Sequence, residues 1–193
     1  TVVCDRNGSF IIRFQGNYSG DGVTKTYTVA DGLPTVTVSD ATFTYDGQNH
    51  TVSVTNSGND DVKFSLTQSN YGDPIEKKDA GTYVIYWQAD NGTATVSGSA
   101  TLVIEKAQLT ITADNKSMRV GGTVPDLTYT VEGLVEGEYL TTEPTPTCTA
   151  DGQSTGTFPI QISGADAGDN YASTYVNGTL TGSRRSSSSS STR

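Results

Sequence analysis

The sequence is poor in the residue types that build catalytic and metal sites. Among 193 residues it has two cysteines, one histidine, one methionine and one tryptophan. His50 follows a turn without any metal-spaced partner, so we expect an exposed loop or strand residue. No phosphate-binding glycine loop or nucleophile motif is present. Paired carboxylates can meet in space rather than in sequence, but we expect no enzyme.

Basic residues are also few. Lys and Arg number 12 against 21 Asp and Glu, giving a net charge of -9. Nucleic acids and anionic membranes bind basic surfaces, so neither is an expected partner. No run of about 20 apolar residues exists, so we expect no membrane insertion.

Glycine, threonine and serine dominate, and only 33% of the residues are hydrophobic. Threonine, valine and tyrosine suit a pleated strand, whereas glycine, asparagine and aspartate suit turns. The composition predicts an all-β protein.

One strand pattern occurs three times, as "GSFIIRFQG", "GTYVIYWQA" and "GTFPIQISG". In the middle copy Tyr83, Ile85 and Trp87 alternate with residues of the opposite face, the period of a strand with one buried side. The copies lie about 75 residues apart, and "TYTVAD", "TLVIEK" and "TLTGS" repeat at nearly the same spacing. The chain is therefore predicted to be a tandem array.

The array divides into four segments. Residues 1–32 are predicted to be the C-terminal half of a truncated preceding repeat, because the chain starts in mid-sequence. Residues 33–106 and 107–182 are complete repeats, which open with "TVTVSD" and "QLTITAD". The first opening strand is predicted to place Val36 and Val38 on one face, and the second to do so with Leu109 and Ile111. Residues 183–193 are predicted to be disordered, as a native Ser-rich linker or a cloning remnant.

The last repeat reads "LTITADNKSMRVGGTVPDLTYTVEGLVEGE", then "GTFPIQISGADAGDNYASTYVNGTLT". It resembles the MBG-type repeats of bacterial surface proteins, except that Val120 stands where the family usually has tyrosine beside its glycine. The matching positions are Lys116, Gly121, Pro125, Leu127, Tyr129, Gly133, Leu134, Gly137, Gly156, Phe158, Pro159, Ile160, Asn170, Tyr171, Asn177, Gly178 and Leu180.

The middle repeat, with its Tyr45-Asp46-Gly47 turn, resembles related bacterial Ig-like repeats. Gly47 is placed to adopt the positive φ of a tight turn. The resemblance implies small Ig-like β-sandwiches. The alternative is a β-grasp-like repeat with one short helix near Val135 to Leu140.

The resemblance also implies a role. Such repeats form the stalks of extracellular adhesins on bacterial cell surfaces, where neighbouring repeats of the same chain are the partners. Two alternatives stay open. One is a module that binds carbohydrate or host glycoprotein through exposed aromatic side chains, for which the candidates are Tyr86, Tyr71, Tyr139 and Tyr175. The other is self-assembly, in which a half repeat accepts a strand from another chain.

Two acidic loops, "NSGNDD" and "GADAGDN", offer the oxygen ligands that Ca²⁺ prefers. Asp60, Asp61, Asp166 and Asp169 are the candidate ligands, although turn chemistry explains the same residues. Cys4 and Cys148 are a whole repeat apart, so both are predicted to be unpaired unless the array folds back.

Overall fold

A computed structural model describes residues 32–184 together with the backbone of residues 2–4 and 10–12. The strands in these ranges are β1 Val2–Cys4, β2 Phe10–Ile12, β3 Val36–Ser39, β4 Ala41–Thr44, β5 Ser53–Asn56, β6 Asp61–Ser65, β7 Gly81–Asp90, β8 Thr95–Glu105, β9 Ala107–Ala113, β10 Lys116–Arg119, β11 Tyr129–Glu132, β12 Thr145–Cys148, β13 Gly156–Ser163, β14 Tyr171–Val176 and β15 Gly178–Ser183. The described ranges contain no helix, and hence none that is long and apolar enough to span a membrane.

The all-β prediction is therefore confirmed, and the alternative with a short helix near Val135 to Leu140 is wrong. Glu138 donates its backbone N–H to the carbonyl of Val135 at 3.0 Å, which closes a single turn. The chain then leaves this turn, because the N–H groups of Thr141 and Thr142 donate to Asp166. A helix would have sent them to carbonyls one turn back.

The last repeat is a sandwich of two sheets. One has the order β10-β15-β13-β12 and the other β11-β9-β14, with β10–β15 and β14–β9 parallel and the remaining pairs antiparallel. β13 and β15 pack against β9 of the other sheet. Leu109 and Ile111 on β9, Ile160 on β13 and Leu180 on β15 are all 0% exposed. Each buried side chain of this size contributes about 1.5–3 kcal/mol. This packing confirms the Ig-like β-sandwich.

The preceding residues form a two-stranded sheet, β3-β5, and a four-stranded sheet, β4-β8-β7-β6. The predicted alternation holds on β7, where Ile85 is fully buried and Tyr83 and Trp87 are half-buried. On β3 the predicted inward residues Val36 and Val38 are half-buried between exposed neighbours.

By its internal contacts the chain forms two compact units. The first unit comprises residues 1–39, 52–75 and 84–100, and the second comprises residues 40–51, 76–83 and 101–193. The core of the first unit contains Val52, Phe64, Ile85, Ala89 and Ala100. The core of the second unit contains Tyr45, Leu102, Ile104, Ala107, Leu109, Ile111, Ala113, Met118, Ile160, Ile162, Tyr171 and Leu180.

The repeat boundaries inferred from the sequence stay a prediction. The first half repeat, residues 1–32, lies almost wholly outside the fully described range, as does the tail beyond Arg184. Ser183 still belongs to β15.

Candidate functional site

Within the second unit, two tyrosines donate to one carboxylate. The hydroxyl of Tyr45 donates to Oε1 of Glu138 at 2.5 Å, and that of Tyr171 donates to Oε2 at 2.5 Å. The two rings meet edge to face, with centroids 5.5 Å apart. We call Tyr45, Glu138 and Tyr171 the tyrosine–glutamate cluster. It joins residues that are far apart in the sequence and belong to both predicted repeats.

The turn after β4 positions Tyr45. Its N–H donates to the carbonyl of Glu105 at 2.8 Å, which continues the β4–β8 pairing by one residue. Gly47 then has φ 76°, as its place in the turn predicted. A Cβ at Gly47 would lie 3.0 Å from Cγ1 of Val135, so this backbone passes close to the next repeat.

His50 closes the same turn. Its Nε2 lies 2.8 Å from Oδ1 of Asp46, and its ring stacks on Phe43 with centroids 4.0 Å apart. The side chain is 15% exposed, so the expected exposed histidine is wrong. The stacking on Phe43 covers it, and its role is to hold the turn that carries Tyr45.

Glu138 and Tyr171 hold each other in place. The backbone N–H of Val135 donates to the Tyr171 hydroxyl at 3.0 Å, so this hydroxyl accepts from the turn while it donates to Glu138. Tyr171 is 6% exposed and begins β14, where it pairs with Ala107 at the start of β9.

Asn170 adds a second connection beside the cluster. Its Oδ1 accepts the backbone N–H of Ala80 at 2.8 Å, and its Nδ2 donates to Asp79 at 3.1 Å. Its carbonyl accepts the N–H of Ala107 at 2.9 Å. One side chain and its backbone thus bind the segment before β7 and the start of β9 together.

The charge on the cluster is stable around neutral pH. The hydroxyls of Tyr171 and then Tyr45 stabilise the carboxylate and lower the pKa of Glu138, with a smaller contribution from the charge of Lys78. The hydrogen bond to Glu138 raises the pKa of Tyr45 to about 12, and burial raises the pKa of Tyr171. The Glu138 carboxylate therefore stays charged near neutrality, and both tyrosine hydroxyls keep their protons.

The four tyrosines predicted to bind a ligand are not members of this cluster. In the first unit, Tyr71 and Tyr86 are half-buried. In the second unit, Tyr139 is 80% exposed, whereas Tyr175 is half-buried and donates to the carbonyl of Ala165 at 3.1 Å. Only Tyr139 of the four offers a widely accessible ring.

The candidate calcium ligands serve their own loops. In the first loop, Asp60 accepts the N–H of Thr35 at 2.8 Å, and Asp61 pairs with Lys63 at 3.0 Å. In the second loop, Asp166 accepts the N–H of Gly168 at 2.8 Å. Asp169 is exposed.

Among the residues that the structure describes, no group of three or more histidine, cysteine or acidic side chains is placed to hold a metal. Cys148 is a free, half-buried thiol, and the side chain of Cys4 lies outside the described residues. The calcium hypothesis stays a prediction.

A polar groove of about 610 Å³ opens in the first unit. It is lined by Gly32, Leu33, Thr35, Gly58, Asn59, Asp60, Asp90, Asn91 and Thr93. Its polar groups are largely bonded within the unit: Asn91 donates to the carbonyl of Gly32 at 2.6 Å, and Asp90 accepts the N–H of Gly92 at 2.6 Å.

Sequence reasoning missed the tyrosine–glutamate cluster. Tyr45 and Tyr171 were both assigned to motifs, the Tyr-Asp-Gly turn and the Asn-Tyr pair, but as turn and strand residues. One signal was available: Tyr45 is followed by a turn and Tyr171 is preceded by one, each at an end of its repeat. The carboxylate partner, 93 residues from Tyr45, carries no local mark.

Comparisons with known proteins give one family match. Residues 109–181 match the family model of the MBG domain (YGX type). No curated protein matches the chain.

Several solved structures are similar to it at low identity. The titin domains Z1Z2 in complex with telethonin are 12% identical, with a TM-score of 0.39 over 79% of this chain and 97% of that chain. The N-terminal four Ig domains of Dscam1 are 10% identical, with a TM-score of 0.29 over 82% and 47%. The human protocadherin-24 domains EC1-2 are 10% identical, with a TM-score of 0.26 over 76% and 95%. The resemblance predicted from the motifs of the last repeat is thus confirmed by the family match, in which residues 109–181 are similar to the MBG domain of the YGX type.

Proposed function

We propose that this chain is a non-catalytic spacer in the stalk of an extracellular adhesin on a bacterial cell surface. The observation that carries the proposal is the tyrosine–glutamate cluster, which bonds the end of one predicted repeat to the loops of the next. A stalk has to hold its tip away from the cell, so it needs stiff connections between repeats rather than flexible linkers.

The connection between the two repeats is short as well as bonded. β8 ends at Glu105 and β9 begins at Ala107, so Lys106 alone separates the strands. The bonds of Asn170 to the segment before β7 add to the two tyrosine bonds. The MBG match of residues 109–181 supports a role at the cell surface, because MBG-type repeats occur in the stalks of bacterial adhesins. The acidic surface, with a net charge of -9, favours a soluble and well-separated particle.

The test compares variants that lack only tyrosine hydroxyl groups. Tyr45→Phe/Tyr171→Phe removes both hydroxyls of the cluster and keeps both rings. Tyr139→Phe is the matched control, because this neighbour of Glu138 is 80% exposed. Small-angle X-ray scattering, with the mass measured in parallel, reports the distribution of particle lengths.

We expect an elongated monomer whose length distribution is narrow in the wild type and in Tyr139→Phe. The double variant should broaden it, because domain motion is the default once the contacts between repeats are weakened. A compact wild-type particle, or a double variant that scatters like the control, would refute the spacer role.

A second candidate function rests on Tyr139, whose exposed ring could stack on a sugar or a host glycoprotein. Saturable binding of a glycan by the full chain, lost in Tyr139→Ala and kept in Tyr45→Phe, would favour this module over a spacer. The strand-complementation alternative depends on residues 1–32, outside the fully described range. It is tested by the concentration dependence of the mass.

A further inference from the structure

The parallel pairings β4–β8 and β10–β15 end in the same way. After β4, the N–H of Tyr45 donates to the carbonyl of Glu105, the last paired residue of β8, at 2.8 Å. After β10, the N–H of Val120 donates to the carbonyl of Ser183, the last paired residue of β15, at 3.0 Å. Tyr45 and Val120 therefore occupy equivalent positions in successive repeats. We call this end of a repeat, where Tyr45 meets the repeat that follows, the far end.

The neighbouring backbone is equivalent too. Ala80 is the residue before β7, and Thr155 is the residue before β13. The N–H of Ala80 binds Asn170 of the next repeat at 2.8 Å, and Thr155 carries the same backbone donor. The far end of the last repeat thus keeps the backbone donor and lacks the side-chain donor.

The missing group is the hydroxyl. Tyr45 is 5% exposed, because its ring packs against Tyr171 and its hydroxyl binds Glu138. A valine at the same place has no donor and a shorter reach, so it cannot bond to a carboxylate in a following turn.

We propose that residue 120 decides whether the far end of the MBG domain binds a further repeat that carries a glutamate at the position of Glu138, and that valine leaves this end weakly coupled. The partner is a repeat of the same kind, and the specificity lies in one hydroxyl and one carboxylate. This inference rests on the proposed spacer function, since it assigns the strength of a connection between repeats.

The chain offers a matched test. Ser183 ends β15, and Arg184 follows it, just as Lys106 follows Glu105. A second copy of residues 107–184 placed directly after Arg184 therefore reproduces the one-residue connection. The test chain is the protein to Arg184 followed by this copy, with the isotope label in the copy in one sample and in residues 107–183 in a second sample.

The test chain is compared with Val120, Val120→Tyr or Val120→Phe in the original repeat, and the appended copy keeps Val120 throughout. With Val120, we expect the appended copy to tumble in nitrogen-15 relaxation at least about 1.5-fold faster than residues 107–183 labelled in the same chain, because weakly coupled domains move independently. Val120→Tyr should bring the two correlation times together. Val120→Phe should not, since it supplies the ring without the donor.

Glu138→Gln in the appended copy, combined with Val120→Tyr, should restore the faster tumbling. Equal correlation times with Val120, or a rescue by Val120→Phe as complete as by Val120→Tyr, would overturn the inference. Tyr45→Phe/Tyr171→Phe in the same chain separates the two proposals. If it loosens the original connection while Val120→Tyr stiffens nothing, the spacer proposal survives and this inference fails; if it loosens nothing, the spacer proposal fails.

Discussion

Removing the hydroxyl of Tyr45 should destabilise the second unit by an amount that follows from its surroundings. Tyr45→Phe keeps a ring that is 5% exposed and deletes a single bond to a carboxylate. A hydrogen bond to a charged group contributes about 1.5–3 kcal/mol. Glu138 is half-buried and keeps its bond to Tyr171, so water can replace part of the loss. We expect a cost near the lower limit, about 1–1.5 kcal/mol.

Tyr171→Phe should cost more, about 2–3 kcal/mol. It removes the second bond to Glu138 and also leaves the N–H of Val135 without its acceptor at 3.0 Å. An unsatisfied backbone donor adds its own desolvation penalty.

The assay is urea unfolding followed by far-ultraviolet circular dichroism, with the fluorescence of Trp87, the sole tryptophan, as a separate report on the first unit. A double-mutant cycle of Tyr45→Phe with Glu138→Gln isolates the pair, and we expect a coupling of about 0.5–1.5 kcal/mol. Tyr139→Phe should change stability by less than about 0.5 kcal/mol. A coupling indistinguishable from zero, or an equal loss in Tyr139→Phe, would contradict the structure of the cluster.

Three further outcomes can be measured on the same chain. The pKa of Glu138 is lowered in the fold. Its contribution to the free energy of unfolding is therefore fully present at pH values above the ordinary pKa of glutamate, and it is lost as the pH falls through the lowered pKa. Glu138→Gln should make the free energy of unfolding depend less on pH in this acid range. Gly133→Ala should cost about 3 kcal/mol or more in urea unfolding, because φ is 101° there and a Cβ would lie 2.1 Å from the carbonyl oxygen of Gln108; a loss below 1 kcal/mol would refute this geometry. Gly98→Ala places a Cβ 2.9 Å from Cζ2 of Trp87, so the indole should shift and its emission move to longer wavelength; an unchanged spectrum would contradict the contact.

The sequence was sufficient for the strands that alternate strictly. Leu109 and Ile111 were predicted to share a face, and both are fully buried. Ile85 behaves in the same way on β7. A period of two needs only neighbouring residues, so it can be read without knowing the partner strand. The region from Val135 to Leu140 has no such period. Its glutamates and its leucine are typical of a short helix, but hydrogen bonds to other parts of the fold hold it as a turn.

The cluster could not be predicted for a related reason. Tyr45 and Glu138 are brought together by the packing of two repeats, and nothing near either residue marks the other. The tyrosines chosen from the sequence were those in loops or on outer faces, which is where ligand contacts are expected. The cluster instead uses tyrosines buried to 5% and 6% exposure, whose motif positions are read as ordinary turn chemistry.

The parallel pairs β4–β8 and β10–β15 also determine how the chain responds to mechanical load. In each pair a strand near the start of a repeat runs alongside the strand that leaves it. Tension applied along the chain would shear these strands past each other, so the hydrogen bonds of a pair are strained together rather than opened one after another. A stalk built from such repeats would hold its length up to a threshold force and then extend by whole repeats, a stepwise response that single-molecule pulling would resolve.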